Sequence, residues 1–195
     1  MRYLLLLASG FALSLAACGN GSNNTPASDT TASAVPAVRE APSSVLGDTA
    51  TSELMNLLSS YYILKDALVA TDAAKADAAA GKLMSDAEGF KQIAARQSNA
   101  AALQPQVAVI QQESEAIVNS NVDSIEVKRA HFSKVSEAMF ALLRGAELKN
   151  GGVYQQYCPM AFNDKGANWL SPSSEIQNPY FGKKMLMCGD LRDSL

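Results

Sequence analysis

Apolar positions recur along most of the chain at the intervals of a helix, and then stop doing so. From Ser52, a residue suited to capping a helix, Leu54, Leu57, Leu58, Tyr61, Tyr62, Leu64 and Leu68 follow one another every three or four positions, which predicts a first amphipathic helix. Thr71-Asp72 is a second capping signal, and the alanine-rich stretch from Ala73 to Ala95, carrying Leu83, Met84, Phe90 and Ile93, predicts a second helix. Gly81 and Gly89 within it each cost about 1 kcal/mol relative to alanine and are read as places where neighbouring helices approach. A third helix is predicted from Pro105 to Val118, with Pro105 in its first turn and Val107, Ile110, Ile117 and Val118 as apolar positions. Asp123-Ser124-Ile125-Glu126 reads as a capping box opening a fourth helix to about Leu148, with Phe132, Val135, Met139, Leu142 and Leu143 along one face. Four such helices with short connections predict an all-α fold, an up-down four-helix bundle.

Beyond Lys149-Asn150-Gly151-Gly152 the helical period is lost, and glycine, proline, aromatic and sulfur residues gather. This C-terminal tail, about 150–195, is predicted to be loop-rich and wrapped on the bundle, with Tyr154, Tyr157, Phe162, Trp169, Tyr180 and Phe181 as anchors. The N-terminal end differs again. Arg2 precedes an apolar run from Leu4 to Leu15 that is too short to span a bilayer, and the run ends in Leu15-Ala16-Ala17-Cys18. That ending resembles the lipobox of bacterial lipoproteins. It implies a signal peptide over 1–17 and lipid on Cys18, and Gly19, in place of an acidic residue, points to the outer membrane and its periplasmic side. Residues 18–51 are mostly small and polar, a composition too poor in apolar surface to order itself, and read as a flexible lipid-anchored linker. The folded domain is assigned to 52–195.

The formal charge of the chain is −3, and losing Arg2 with the signal peptide would make it one unit more negative. Nothing in this balance suggests nucleic acid. The candidate chemistry lies in the tail, where Cys158 stands two residues from Met160 and Cys188 three residues from Met185. Thiolate and thioether are soft donors that suit Cu(I), with Ag(I) or Zn(II) as lesser alternatives, and the spacing matches no zinc ribbon or knuckle. The competing reading is a Cys158–Cys188 disulfide, which would close a loop of about 30 residues and stabilise by roughly 3.5 kcal/mol on the chain-entropy estimate. His131, the one histidine, is either a packing residue of the fourth helix or an optional further ligand. Catalysis is disfavoured: Cys158 and His131 lack an elbow or an oxyanion-forming glycine loop, and Glu113 and Glu126 lack the Glu-x-x-His spacing of di-iron bundles.

Several stretches together carry a family resemblance. They are Leu64-Lys65-Asp66-Ala67-Leu68, Asp72 to Ala80, His131-Phe132 with Ser136, Tyr157-Cys158-Pro159-Met160-Ala161, Lys165-Gly166-Ala167-Asn168-Trp169-Leu170-Ser171, and Asn178-Pro179-Tyr180-Phe181-Gly182 followed by Met185-Leu186 and Cys188-Gly189. From about 53 to 190 the chain resembles bacterial periplasmic domains of uncharacterised function, found as stand-alone lipoproteins or fused to the membrane-fusion adaptors of heavy-metal efflux pumps. The resemblance implies a helical bundle that handles copper or another soft metal, with an efflux adaptor as partner, and supplies no established activity. Met187 falls outside its pattern, which makes Met185 the better candidate ligand.

Overall fold

A computed structural model describes residues 40–98, 100–120 and 124–195. The signal-peptide and linker expectations for residues 1–39, the lipidation site Cys18 and the capping residue Asp123 lie outside the described residues.

The four expected helices are present: α1 (Asp48–Val69), α2 (Ala73–Ala94), α3 (Ala100–Asn119) and α4 (Ile125–Gly145). Leu54, Leu57, Leu58, Tyr61, Leu64 and Leu68 of α1 are all buried, so the spacing that predicted the helix also identifies its core face. Each helix packs on the next, and α1 also touches α4. Helices α1 and α2, joined by only three residues and packed together, run antiparallel. Asp72 caps α2 as expected, its Oδ1 accepting from Lys75 N–H at 3.0 Å.

The helix ends depart from the sequence pattern. α1 begins at Asp48, so Ser52 lies inside it and not at its cap. Leu46, in the stretch read as linker, is buried, and Ser43 forms an antiparallel bridge with Lys149, N–H to O at 3.1 Å and 2.8 Å in the two directions. α1 and α4 end alike. The amides of Thr71 and Asp72 bond back to Leu68 and Ala67, and those of Glu147 and Leu148 to Arg144 and Leu143, with Thr71 and Glu147 in the left-handed region at φ 59° and 51°. This is the Schellman arrangement, made without its usual glycine. Pro105 stands sixth in α3 and not in its first turn, so the helix forgoes the amide bond to Ala101. Nor do Gly81 and Gly89 mark close approaches, since a Cβ at either would meet nothing within 4 Å; that role belongs to Gly145, where a Cβ would come within 2.8 Å of Leu103.

The all-α expectation fails in the tail, which forms a small antiparallel sheet of β1 (Tyr154–Cys158), β2 (Ala167–Ser171) and β3 (Asp190–Ser194) in the order β2-β1-β3. Cys158 pairs with Ala167 and Gln156 with Trp169, and the β1–β3 pairing has an irregularity between Gln155 and Gln156. β2 lies on α4. Tyr61 ties the sheet to the core, its hydroxyl accepting from Leu170 N–H at 3.0 Å and pairing with Ser136 Oγ at 2.7 Å. Among the expected anchors Trp169 and Tyr180 are buried, whereas Tyr154, Tyr157, Phe162 and Phe181 are partly so.

Candidate sulfur site

Two tail segments build the site. The first runs from the end of β1 through Met160 into a tight turn, Ala161–Asp164, in which Phe162, Asn163 and Asp164 all have positive φ, 53°, 57° and 63°. Such a conformation costs roughly 1–2 kcal/mol for each non-glycine residue, so the surroundings must hold it in place. Gly166 closes the turn at φ 76° against Tyr157, where a Cβ would fall 1.9 Å from the phenol oxygen.

The second segment is the loop from Ile176 to Gly189, organised by Asn178, whose side chain is fully buried. Asn178 Oδ1 accepts from Tyr180 N–H at 2.7 Å and Phe181 N–H at 3.2 Å, and its Nδ2 donates to the carbonyl of Cys188 at 2.7 Å. Arg129 of α4 clasps the same loop to the helices. Its Nε donates to Pro179 O at 2.8 Å, and its Nη2 to Leu68 O at 3.2 Å and Thr71 Oγ1 at 3.1 Å. Gly182 fits beside this clasp at φ 54°, where a Cβ would approach Arg129 Nη2 to 2.8 Å. Neither Arg129 nor Asn178 was picked out as a site residue by sequence reasoning. The available signals were a charged residue three positions before Phe132 on the apolar stripe of α4, and an Asn-Pro turn dipeptide.

The segments bring Cys158 and Cys188 together, with their Sγ atoms 2.7 Å apart. Cys158 is fully buried and Cys188 partly so. Burial, with the Cys158 sulfur next to it, pushes the Cys188 thiol up to about 11, opposed by the amide of Met160. In the reduced state Cys188 is therefore a neutral thiol at neutral pH and a poor exchange nucleophile. Met160 and Met185 face a cavity of about 610 Å³ that is also lined by Glu126, Arg129, Phe162, Tyr180 and Lys184.

His131 belongs elsewhere. Its Nδ1 is 2.7 Å from Glu113 Oε2 on α3, and Lys134 donates to the other oxygen of the same carboxylate at 3.1 Å. Burial raises the Glu113 pKa, but the His131 and Lys134 bonds outweigh it and hold the carboxyl below its ordinary value. The structure thus unites the two cysteines, sets two methionines on an adjoining cavity, and places the histidine in a separate α3–α4 ion cluster. Among the described residues no group of three or more His, Cys, Asp or Glu is arranged to hold a metal ion.

Residues 57–151 match a family described as a protein of unknown function, DUF3347. The matched stretch begins inside α1 and ends just past α4, leaving the sheet and both cysteines beyond it. No curated protein and no solved structure matches the chain.

Proposed function

We propose that the domain binds Cu(I) at Cys158 and Cys188, assisted by Met160 and Met185, and that it buffers the ion or passes it to efflux machinery from a membrane to which lipid on Cys18 tethers the chain. One observation carries the reading: two segments remote in sequence converge so that their thiols touch, with a thioether close to each in sequence. A donor set of two thiolates and two thioethers suits a soft monovalent ion better than a hard cation. The fit asks the thiols to part. Metal–sulfur bonds of about 2.3 Å at a tetrahedral angle separate two sulfurs by roughly 3.8 Å, so the pair must open by about 1 Å. His131, engaged by Glu113, is left out of the ligand set.

The test is a Cu(I) titration under anaerobic reducing conditions, against a competing chelator, of the chain from residue 18 carrying Cys18→Ser. One-to-one binding that disappears in the Cys158→Ser, Cys188→Ser double variant is expected. A folded protein that takes up no Cu(I) refutes the reading.

A second reading has its own support. The complete burial of Cys158, the raised Cys188 thiol and the contact between the sulfurs favour a structural disulfide in an interaction module of the cell envelope. Closure by about 0.7 Å reaches the disulfide bond length of roughly 2.05 Å. Alkylating the Cys18→Ser protein as it is extracted from the periplasm separates the two readings: two modified thiols speak for metal, and none for the disulfide.

A further inference from the structure

The four sulfur side chains occupy two environments. Cys158 and Cys188 meet each other and neither contributes to the lining of the cavity, whereas Met160 and Met185 do. Met160 is 47% exposed and Cys158 not at all. The cavity lies between the first half of α4, the left-handed turn after Met160 and the loop before Cys188. Its aromatic wall is held in place by ring contacts, Phe162 on Tyr180 at 5.3 Å and Tyr180 on Phe132 at 6.0 Å, that run back into the helical core.

We infer that Met160 and Met185 form an entrance station for a soft monovalent ion, taking it from solution and yielding it to the thiols of Cys158 and Cys188, their neighbours in sequence, so that the methionines set the exchange rate and the cysteines set the affinity. The inference rests on the metal-binding reading above and assigns its ligands to successive roles. A thioether is neutral and has no proton to lose, so Met160 and Met185 can engage an arriving ion at once, and weakly. A thiol must give up its proton to water as its sulfur–metal bond forms; each cysteine thus releases one proton while the thioether bonds break.

The experiment compares three forms of the chain from residue 18 carrying Cys18→Ser: the parent, the volume-conserving Met160→Leu, Met185→Leu double variant, and Ala130→Phe, which places a ring in the cavity from an exposed position on α4 and alters no sulfur. Circular dichroism checks that each is folded. Stopped-flow transfer of Cu(I) from a chromogenic chelator gives the loading rate, and equilibrium competition with the same chelator gives the affinity. Loading is expected to slow about tenfold or more in both variants, with affinity within about threefold of the parent. If the double-methionine variant loses affinity by about a hundredfold along with rate, the thioethers belong to the final complex; the inference then falls while the metal reading stands. Unchanged rates in both variants also overturn it, because the cavity is then not the route. A folded parent that binds no Cu(I) overturns both readings.

Discussion

Arg129→Met probes how the tail is held on the helices. Arg129 is 3% exposed, and its guanidinium donates to Pro179 O, Leu68 O and Thr71 Oγ1. Methionine fills much of the same volume, so the change isolates the polar clasp. Leu68 O keeps a bond from Thr71 N–H, which leaves Pro179 O as the carbonyl deprived of its donor. An orphaned buried carbonyl costs about 1–3 kcal/mol and each lost charge-assisted bond about 1.5–3 kcal/mol, partly offset because a cation no longer has to be desolvated. A net loss of about 3 kcal/mol is expected, which at an m-value of about 2 kcal/mol per molar urea moves the unfolding midpoint down by about 1.5 M. Glu126→Gln is the control. It neutralises the partner of Arg129 Nη1; the Glu126 carboxylate is 66% exposed and the amide oxygen of glutamine still accepts from the guanidinium, so the change is expected to cost no more than about 1 kcal/mol. The assay is urea unfolding of reduced protein followed by tryptophan emission, Trp169 being the one tryptophan and lying in β2. A midpoint shift for Arg129→Met no larger than that for Glu126→Gln would refute the claim that this clasp holds the tail.

Three further outcomes are expected. Tyr61→Phe removes the hydroxyl that receives Leu170 N–H and pairs with Ser136, and should cost about 1–3 kcal/mol in the same unfolding experiment by leaving a buried amide unpaired. Gly166→Ala at φ 76° drives a methyl into Tyr157; a loss of about 2 kcal/mol or more is expected, along with disturbed shifts for Tyr157 and Cys158 in heteronuclear spectra. Because Glu113 has a folded-state pKa below its ordinary value, it contributes stability that is present above the ordinary carboxylate range and is lost as the pH falls through it and below. The difference in melting temperature between the parent and Glu113→Gln should accordingly shrink on going from pH 7 to pH 4, and a difference that stays constant or widens would contradict the α3–α4 ion cluster.

The helices were legible because burial alone dictated their spacing. Leu54 to Leu68 and Phe132 to Leu143 must face one way, and only a helix lets them. Their ends were not, because Thr71 and Glu147 terminate helices in a conformation that normally announces itself by glycine. The strands left no pattern to read. In β1 the inward positions include the polar Gln156, whose Nε2 binds the carbonyls of Ser173 and Glu175, and every residue of β3 is exposed. Backbone pairing, which does not depend on side-chain identity, makes most of that sheet. The cysteine pair was visible as a pair, since no other cysteine lies between residues 52 and 195. That His131 would meet Glu113 was not visible. It adjoins Phe132 in sequence, yet one step around α4 separates the face that meets Tyr61 from the face that meets Glu113.

The bridge between Ser43 and Lys149 has a topological consequence. It brings the approach to α1 and the departure from α4 side by side, with Val45 N–H bonded to Ala146 O next to it. A unit of four helices whose two ends meet behaves as a cassette: it can be spliced into an exposed loop of a host chain without prising that loop open, and a short linker across the ends would permit circular permutation. Evolution or a protein engineer could thus move the helices between contexts as a block, provided the tail travels with them, because Trp169, Leu170 and Tyr180 complete their core.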